Sequence, residues 1–388
     1  MTVTILGAVS AAIWVYLIAF RGGFWRVPTG ARPAPLPLVS PRSVIAVIPA
    51  RDEADVIGRA VASLLAQRYE GSLEVIVIDD HSGDGTAAAA IEAAAAIGSA
   101  ERLTVTASAP LAAGWTGKLW AMRQGIALAR KRNPDYLLLT DADIVHSPDN
   151  VADLVSRAEG EGFDLVSLMV RLDCRLPLER LLIPAFVFFF FKLYPPRLVA
   201  DPASRTAAAA GGCMLVRRAA LERIGGVDSI RQEIIDDCAL ARRLKAAGRV
   251  WLGPAIDTPA GTTRSIRPYG SWRAVWAMIS RCAFAQLNYS AVALVGTVVG
   301  MGVIYVAPLV LALSPGPLAS RILGGAAWLA MSAVFVPILR NYRCPLWLAP
   351  LLPAAALFYT AATIGSAVAY WCGRGGSWKG RFQAASAR

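Results

Sequence analysis

"LEVIVIDDHSGDGTAAAAIEAAAA", residues 73–96, reads as one complete strand–loop–helix unit. An unbroken apolar run over 73–78 meets the adjacent Asp79 and Asp80. A polar loop follows, and an alanine-rich helix begins with Ser82 or Asp84 as its N-cap. The segment before it, "SVIAVIPARDEADVIGRAVASLLAQ" (43–67), repeats the plan: a β-branched run at 43–48, a break at Pro49, then Val56, Ile57, Ala60, Val61, Leu64 and Leu65 at helical spacing. Downstream, a strand near 103–107 leads into "PLAAGWTGKLWAMRQGIALAR" (110–130), and "YLLLT" (136–140) leads into "DADI". Continuous apolar strands alternating with helices predict an α/β fold with a parallel sheet covered on both faces. Open sheets of that kind bind ligands at the carboxyl ends of their strands. Asp79, Asp80, Asp141 and Asp143 are thus expected on one rim although they are far apart in sequence.

Composition adds a membrane. The chain has 388 residues, 56% hydrophobic and 17% charged, too apolar for a purely soluble protein. The excess lies at the two ends. "MTVTILGAVSAAIWVYLIAF" has roughly the 20 residues a bilayer crossing needs, carries no basic residue before its apolar run, and is followed by Arg21, Arg26 and Arg32. An anchor with Met1 outside fits this pattern; a cleaved signal peptide would want a basic start and a small-x-small site. Apolar stretches at 287–313, 319–339 and 346–371 are each long enough to span. Three simple crossings would put the basic tail "GRGGSWKGRFQAASAR" (373–388) outside, against the positive-inside rule. Pro345, Pro350 and Pro353 mark the last stretch as a re-entrant segment. The layout expected is an anchor over 1–20, a linker over 21–42, a globular domain over 43–285, membrane segments over 286–372 and a cytoplasmic tail, in a multi-pass protein of the inner membrane.

The net charge of +12 is not arranged as a Lys/Arg block interleaved with aromatics, so anionic lipid and an anionic substrate explain it better than nucleic acid. Six cysteines without a CxxC pair, and only two histidines, argue against zinc and for reduced thiols.

The chemistry is carried by acidic loops. Arg51, Asp52 and Glu53 precede a helix and can simply complement its dipole. Adjacent Asp79 and Asp80 need donors to offset their repulsion, and a base and ribose supply such donors. Asp141 and Asp143, two apart in an extended segment, would point the same way toward one Mg2+ or Mn2+, although Asp-x-Asp alone is more often a turn than a site. "EIIDDCALARRLKAAG" (233–248) reads as a helix, and Asp236 and Asp237 in its first turn can cap it or act as a base. His146 is expected to be structural.

Taken in order, "PARDEAD", "VIVIDDHSGDGT", "GWTGKLWAMRQG", "LLLTDADI", "AAGGCMLVRR" and "EIIDDCALARRL" resemble the family 2, GT-A fold glycosyltransferases over roughly residues 43–285. "SLMVRL", "LLIPAFVFFFF" and the terminal "WKGR" make the chain similar to the hopene-associated subgroup of that family. The resemblance implies an inverting hexosyltransferase that uses a nucleotide sugar, such as a UDP-sugar, with Mg2+ or Mn2+, and a lipid or isoprenoid hydroxyl as acceptor. It implies that Pro49, Ala50, Arg51, Glu53, Asp79 and Asp80 hold the nucleotide, with Lys118, Asp141 and Arg281 near its diphosphate. Asp141 and Asp143 would bind the metal, Asp143 the more directly. Gly211, Gly212, Cys213 and Trp272 would face the acceptor, and Asp237, beside Asp236, would be the general base. The motif that holds Arg281, "MISRC" (278–282), departs from the processive pattern by Met278 and Cys282, which argues against polymer synthesis. Trp272, Trp276 and "IPAFVFFFFKLYPP" (183–196) suit either a bilayer interface or a core. Two rivals stand beside this reading: a polyprenyl-phosphate sugar synthase, whose acceptor phosphate needs no base, and a non-catalytic scaffold, whose acidic loops would be eroded.

Overall fold

The computed structural model describes residues 1–27 and 41–374 in full and the backbone of 377–378 and 381–382. Most of the expected linker and tail therefore lies outside the described residues.

Helix α1 (Thr2–Phe20) opens the chain. There follow β1 (Val44–Ala50), α2 (Ile57–Leu65), β2 (Leu73–Asp79), α3 (Thr86–Ala96), β3 (Leu103–Ala107), α4 (Gly117–Arg130), β4 (Tyr136–Thr140), β5 (Ile144–Val145), α5 (Asn150–Glu161) and β6 (Leu165–Met169). Helices α6 (Glu179–Leu193) and α7 (Pro196–Ala200) precede β7 (Cys213–Arg217), α8 (Arg218–Arg223), α9 (Asp236–Ala247), β8 (Val250–Pro254) and β9 (Arg264–Ser265). The remainder is helical: α10 (Trp272–Ser280), α11 (Ala283–Gln286), α12 (Ala291–Met301), a π-helical turn over Gly302–Val306, α13 (Ala307–Leu313), α14 (Leu318–Asn341), a 3-10 segment over Leu346–Leu351 and α15 (Leu352–Trp371). The chain forms two compact units: one contains the sheet, the other α1, α6 and α10 to α15.

In the first unit the sheet order is β3-β2-β1-β4-β7-β6-β8. Strands β1 and β4 are buried along their whole length, as unbroken apolar sequences require. Gly125 of α4 faces the sheet so closely that a Cβ there would collide with Val47 and come within 3.1 Å of Ile78. The expected all-parallel sheet is corrected at one strand, since β7 runs antiparallel to both β4 and β6. The reversal has a consequence for the rim. Cys213 at the start of β7 pairs with Thr140 at the end of β4, so the preceding Gly211 and Gly212 arrive where β4 delivers Asp141. A wholly parallel β7 would present its other end there. The α3 cap also differs from expectation. Gly85 occupies the cap position with φ 90°, a left-handed conformation suited to glycine. Asp84 supports the turn through Thr86 N at 3.0 Å, and Ser82 turns elsewhere.

In the second unit four helices are long and apolar enough to cross a membrane: Thr2–Phe20, Ala291–Leu313, Leu318–Asn341 and Leu346–Trp371. Helix α1 lies on α14, where Gly7 leaves room for Leu323. The π-helical turn disturbs the normal carbonyl ladder, and α1 uses the result: Ser10 Oγ donates to Val303 O and Trp14 Nε1 to Ile304 O, both at 2.8 Å. The phenylalanine run of α6, which the sequence left between interface and core, is largely core here. Phe188, Phe189 and Phe191 are buried, with Phe188 edge-on to Phe24 and Phe335, and Phe189 edge-on to Tyr305 and Tyr359. The last apolar stretch doubles back. Trp328, in the middle of α14, donates to Pro350 O at 3.0 Å, and α15 then runs antiparallel to α12 until Ala367 packs with Leu294 and Phe284. The end of α15 thus lies beside the start of α12.

Candidate functional site

Two loops at the rim lock each other. Asp52, held at φ 50°, receives the Gly83 N–H on its carboxylate at 3.0 Å and gives its own N–H to Ser82 Oγ at 3.0 Å. Ala54 N donates to Asp84 Oδ2 at 3.0 Å and Glu53 N to Thr86 Oγ1 at 2.8 Å. These reciprocal bonds join the β1–α2 loop to the β2–α3 loop. They also answer what offsets the repulsion of Asp79 and Asp80. The donors are the protein's own: Ser82 N and Oγ bond the Asp79 carboxylate, while Arg51 bonds Asp80 O at 2.6 Å and lies 3.5 Å from Asp80 Oδ2. Asp80 is fully buried, and in this structure it fastens Arg51. Pro49 and Ala50 are buried residues of β1, paired with Ile78 and Asp79.

The strand-end aspartates are not in an extended segment. Residues 141–143 form a turn, with Ile144 N bonded to Asp141 O at 3.3 Å. A turn between them gives the two carboxylates different partners. Asp141 pairs with Lys118 Nζ at 2.8 Å. Asp143, nearly buried, accepts Ser265 Oγ at 2.7 Å and lies 3.3 Å from Arg267 Nε. Arg267 also bonds Glu53, so one guanidinium joins the first loop to the metal-candidate aspartate. Burial works against its charge, and Asp143 and Glu53 outweigh that and hold it firmly protonated. Sequence reading missed Arg267. It lies far along the chain, two residues past β9, where the pairing of β5 with β9 brings it near Asp143, and no motif spacing announces it.

Helix α9 begins at Asp236, three residues later than expected. Its first turn supplies the other carboxylates. Asp237 Oδ2 accepts the Gly211 N–H at 2.8 Å, and its Oδ1 accepts Cys238 N at 2.7 Å. Lys118 Nζ lies 3.8 Å from Asp236 Oδ2. A Cβ at Gly211 would sit 3.3 Å from Asp237 Oδ2 and 3.6 Å from Lys118 Nζ, so glycine keeps this approach open. Burial, then the neighbouring Asp236, push Asp237 up to about 6, with Lys118 and the backbone donors restraining the rise. Burial disfavours the Lys118 charge, but Asp141 and Asp236 overcome it and keep the lysine protonated. A carboxylate poised near neutrality and backed by a fixed cation is able to take a proton from a bound hydroxyl.

Gly212 O accepts Thr140 Oγ1 at 2.7 Å, and Cys213 is buried beneath, its thiol pushed up to about 12 by burial. His146 lies in the same layer between Thr140 Oγ1 at 3.1 Å and Asn150 Nδ2 at 3.0 Å, and burial lowers it to about 3, which keeps it neutral and structural. Arg281 and Trp272 belong to the helical unit. Arg281 follows α10 at its C-cap, and Trp272, at its start, stands 48% exposed and edge-on to Trp276. They are not among the residues that the sheet unit gathers.

The donors at the rim fit a hard divalent cation. Asp141 and Asp143 offer carboxylate oxygens, and among the described residues no cluster of three His, Cys, Asp or Glu side chains forms an all-protein cage. Mg2+ in particular takes one or two carboxylates and completes its shell with substrate phosphates.

Comparison with known proteins agrees with this fold. The family model described as "Glycosyltransferase like family 2" matches residues 41–274. The mannosyltransferase PcManGT from Pyrobaculum calidifontis, solved with GDP-Man and Mn2+, is similar in structure: TM-score 0.54, 19% identity, 95% of this chain and 98% of that one covered. TarS 1-349 from S. aureus, solved with UDP-GlcNAc, gives TM-score 0.40 and 13% identity over 86% and 92% of the two chains. No curated protein sequence matches. With the family model covering more than half of the chain, and with a GT-A sheet carrying its acidic loops on one rim, this protein belongs to the family 2 glycosyltransferases.

Proposed function

We propose that the protein transfers a sugar from a nucleotide-sugar donor to a lipid hydroxyl, with inversion and with Mg2+ or Mn2+, the acceptor being an isoprenoid of the hopanoid type. The observation that carries this reading is the clamp around Asp237: a raised carboxylate against Gly211, with Lys118 linking its helix to Asp141. GDP-Man and Mn2+ in the similar mannosyltransferase support the donor and the metal. The hopanoid acceptor rests on the subgroup resemblance of the sequence.

In this mechanism Asp237, ionised, accepts the proton of the acceptor hydroxyl as its oxygen attacks the anomeric carbon. The Gly211 and Cys238 N–H groups fix its two oxygens, so it meets the hydroxyl without rotating. Lys118 holds positive charge beside Asp141, where a leaving diphosphate gathers negative charge. Asp141 and Asp143 would hold the metal, with Arg267 positioning Asp143. When bound, the metal stabilises the departing diphosphate.

The helical unit supports a membrane location. Arg21 and Arg26 follow α1, Arg273 and Arg281 precede α12, Arg340 and Arg343 lie at the end of α14, and Arg374 follows α15. All belong to one end of the bundle once α15 returns to the start of α12, and Arg321 alone lies near the other. Positive-inside logic makes the richer end cytoplasmic, and we read the catalytic domain and the tail as cytoplasmic. The returning α15 removes the conflict that three full crossings would create.

The test is incubation of the purified protein with a panel of labelled nucleotide sugars and lipid extract, with the labelled lipid identified by mass spectrometry. Extract from cells without hopanoids should yield no labelled lipid; equal labelling sinks the hopanoid acceptor. Near-normal turnover by Asp237→Asn would instead favour a phosphate acceptor, which needs no base.

A further inference from the structure

The helical unit is charged one way. It contains twelve Lys and Arg residues and one acidic residue, Glu179. The Glu179 carboxylate is already used, accepting the Arg175, Leu176 and Gly270 N–H groups at 2.9 Å each. Within this unit Lys192 takes an unexpected direction. Its backbone lies at the end of α1, where Arg21 donates to Lys192 O at 3.2 Å and to Leu193 O at 3.0 Å. A lysine at that level would ordinarily extend outward to water. Here its ammonium instead sits 4.8 Å from the ring centre of Tyr305 and 5.7 Å from that of Phe189. The Tyr305 ring packs edge-on against Trp14, six residues inside the end of α1, a depth of about 9 Å.

Tyr305 adds a second, independent sign. It is completely buried, and its hydroxyl has no hydrogen-bond partner in the structure. A buried hydroxyl without a partner is destabilising and calls for an explanation. It also lies in the π-helical turn Gly302–Val306, a feature frequent at functional sites. An inward-directed ammonium, an adjacent guanidinium and an orphaned hydroxyl donor, with no carboxylate for them among the described residues of the unit, share one missing complement: an anion rich in acceptor oxygens. An ionisable residue within an apolar bundle is a functional-site candidate on physical grounds.

We infer that Lys192, Tyr305 and Arg21 form a binding site for the phosphate group of an anionic membrane lipid. The lysine supplies the charge, the tyrosine hydroxyl a directed hydrogen bond, and the aromatic walls of Phe189, Tyr305 and Trp14 exclude water around the headgroup–chain junction. The inference rests on the membrane location proposed above and is independent of the sugar-transfer reading. Lipid rather than free phosphate is the source, because the apolar surroundings accept acyl chains and repel a hydrated ion.

The full chain, purified in mild detergent and placed in nanodiscs of phosphatidylcholine alone or with phosphatidylglycerol, tests it by native mass spectrometry and thermal melting. Phosphatidylglycerol should be retained and should raise the melting temperature. Lys192→Met should reduce retention by about tenfold, Tyr305→Phe should reduce it partly, and Lys192→Arg should restore it. Arg321→Met, a cation elsewhere in the unit, should behave as wild type. Retention by Lys192→Met equal to wild type would overturn the site, as would an equal rise in melting temperature with inorganic phosphate. Recovery of the chain without detergent would overturn the membrane premise, a result separable from lost retention.

Discussion

Lys118 and Asp141, on a helix and at a strand end, form a 2.8 Å ion pair whose ammonium also lies 3.8 Å from Asp236. One cation thus serves three carboxylates, since Asp237 is the next residue and feels the same charge. Lys118→Met removes that compensation. Asp237 should then titrate still higher than about 6, moving the acidic limb of the pH–rate profile upward. Turnover should fall by about 10²-fold or more, as for loss of a preorganised charge. Steady-state kinetics across pH check both; an unmoved limb would separate Lys118 from Asp237.

Asp237 carries a sign that can be tested. Its folded value, about 6, exceeds the ordinary 3.8, so the fold favours its protonated form. The stability this contributes is complete below about pH 4 and is lost as pH rises through 6. Activity should rise over the same window, because the base must be ionised. Asp237→Asn should lose about 10²–10⁴-fold in turnover, and its stability relative to wild type should grow from pH 4 to 7 when followed by thermal melting.

Arg267→Ala should leave Glu53 and Asp143, both nearly buried, without the guanidinium that now joins them. Breaking a fully buried pair costs about 3–5 kcal/mol, and because the Arg267 side chain is 37% exposed the loss here should be smaller. Divalent cation, by supplying positive charge at Asp143, should recover part of the lost melting temperature in the variant. Melting with and without Mn2+ reads this; equal Mn2+ responses in variant and wild type would show that Arg267 is not coupled to the cation.

Gly125→Ala should destabilise through packing alone. The added methyl has no space between α4 and Val47, and overpacking of this kind costs about 1–3 kcal/mol. Chemical denaturation should show the loss, while activity per folded molecule should stay near wild type because no rim residue is touched.

The topology proposed for the helical unit is open to cysteine labelling. Cys372 is exposed just past α15. An impermeant maleimide should miss it in intact cells and reach it after permeabilisation. Ser314→Cys, in the short turn between α13 and α14, should show the opposite.

Much of this protein is legible in one dimension. The unbroken apolar strands, their helical partners and the acidic loops after them announce an α/β sheet with a charged rim, because burial on both faces demands continuous apolar runs and turns demand polar residues. The end-weighted apolar stretches announce candidate spans for the same reason. Tertiary structure alone decided how these parts meet. Reversal of β7 sets Gly211 against Asp237; a turn rather than a strand splits Asp141 from Asp143; Asp80 is consumed by Arg51; and Arg267 reaches Glu53 and Asp143 across most of the chain. Strand direction and long-range ion pairs depend on which elements become neighbours, and that information is shared over the whole fold rather than written in any local spacing. The inward lysine of α6 is the same case: its sequence neighbours are phenylalanines, and only packing reveals the tyrosine without a partner beside it.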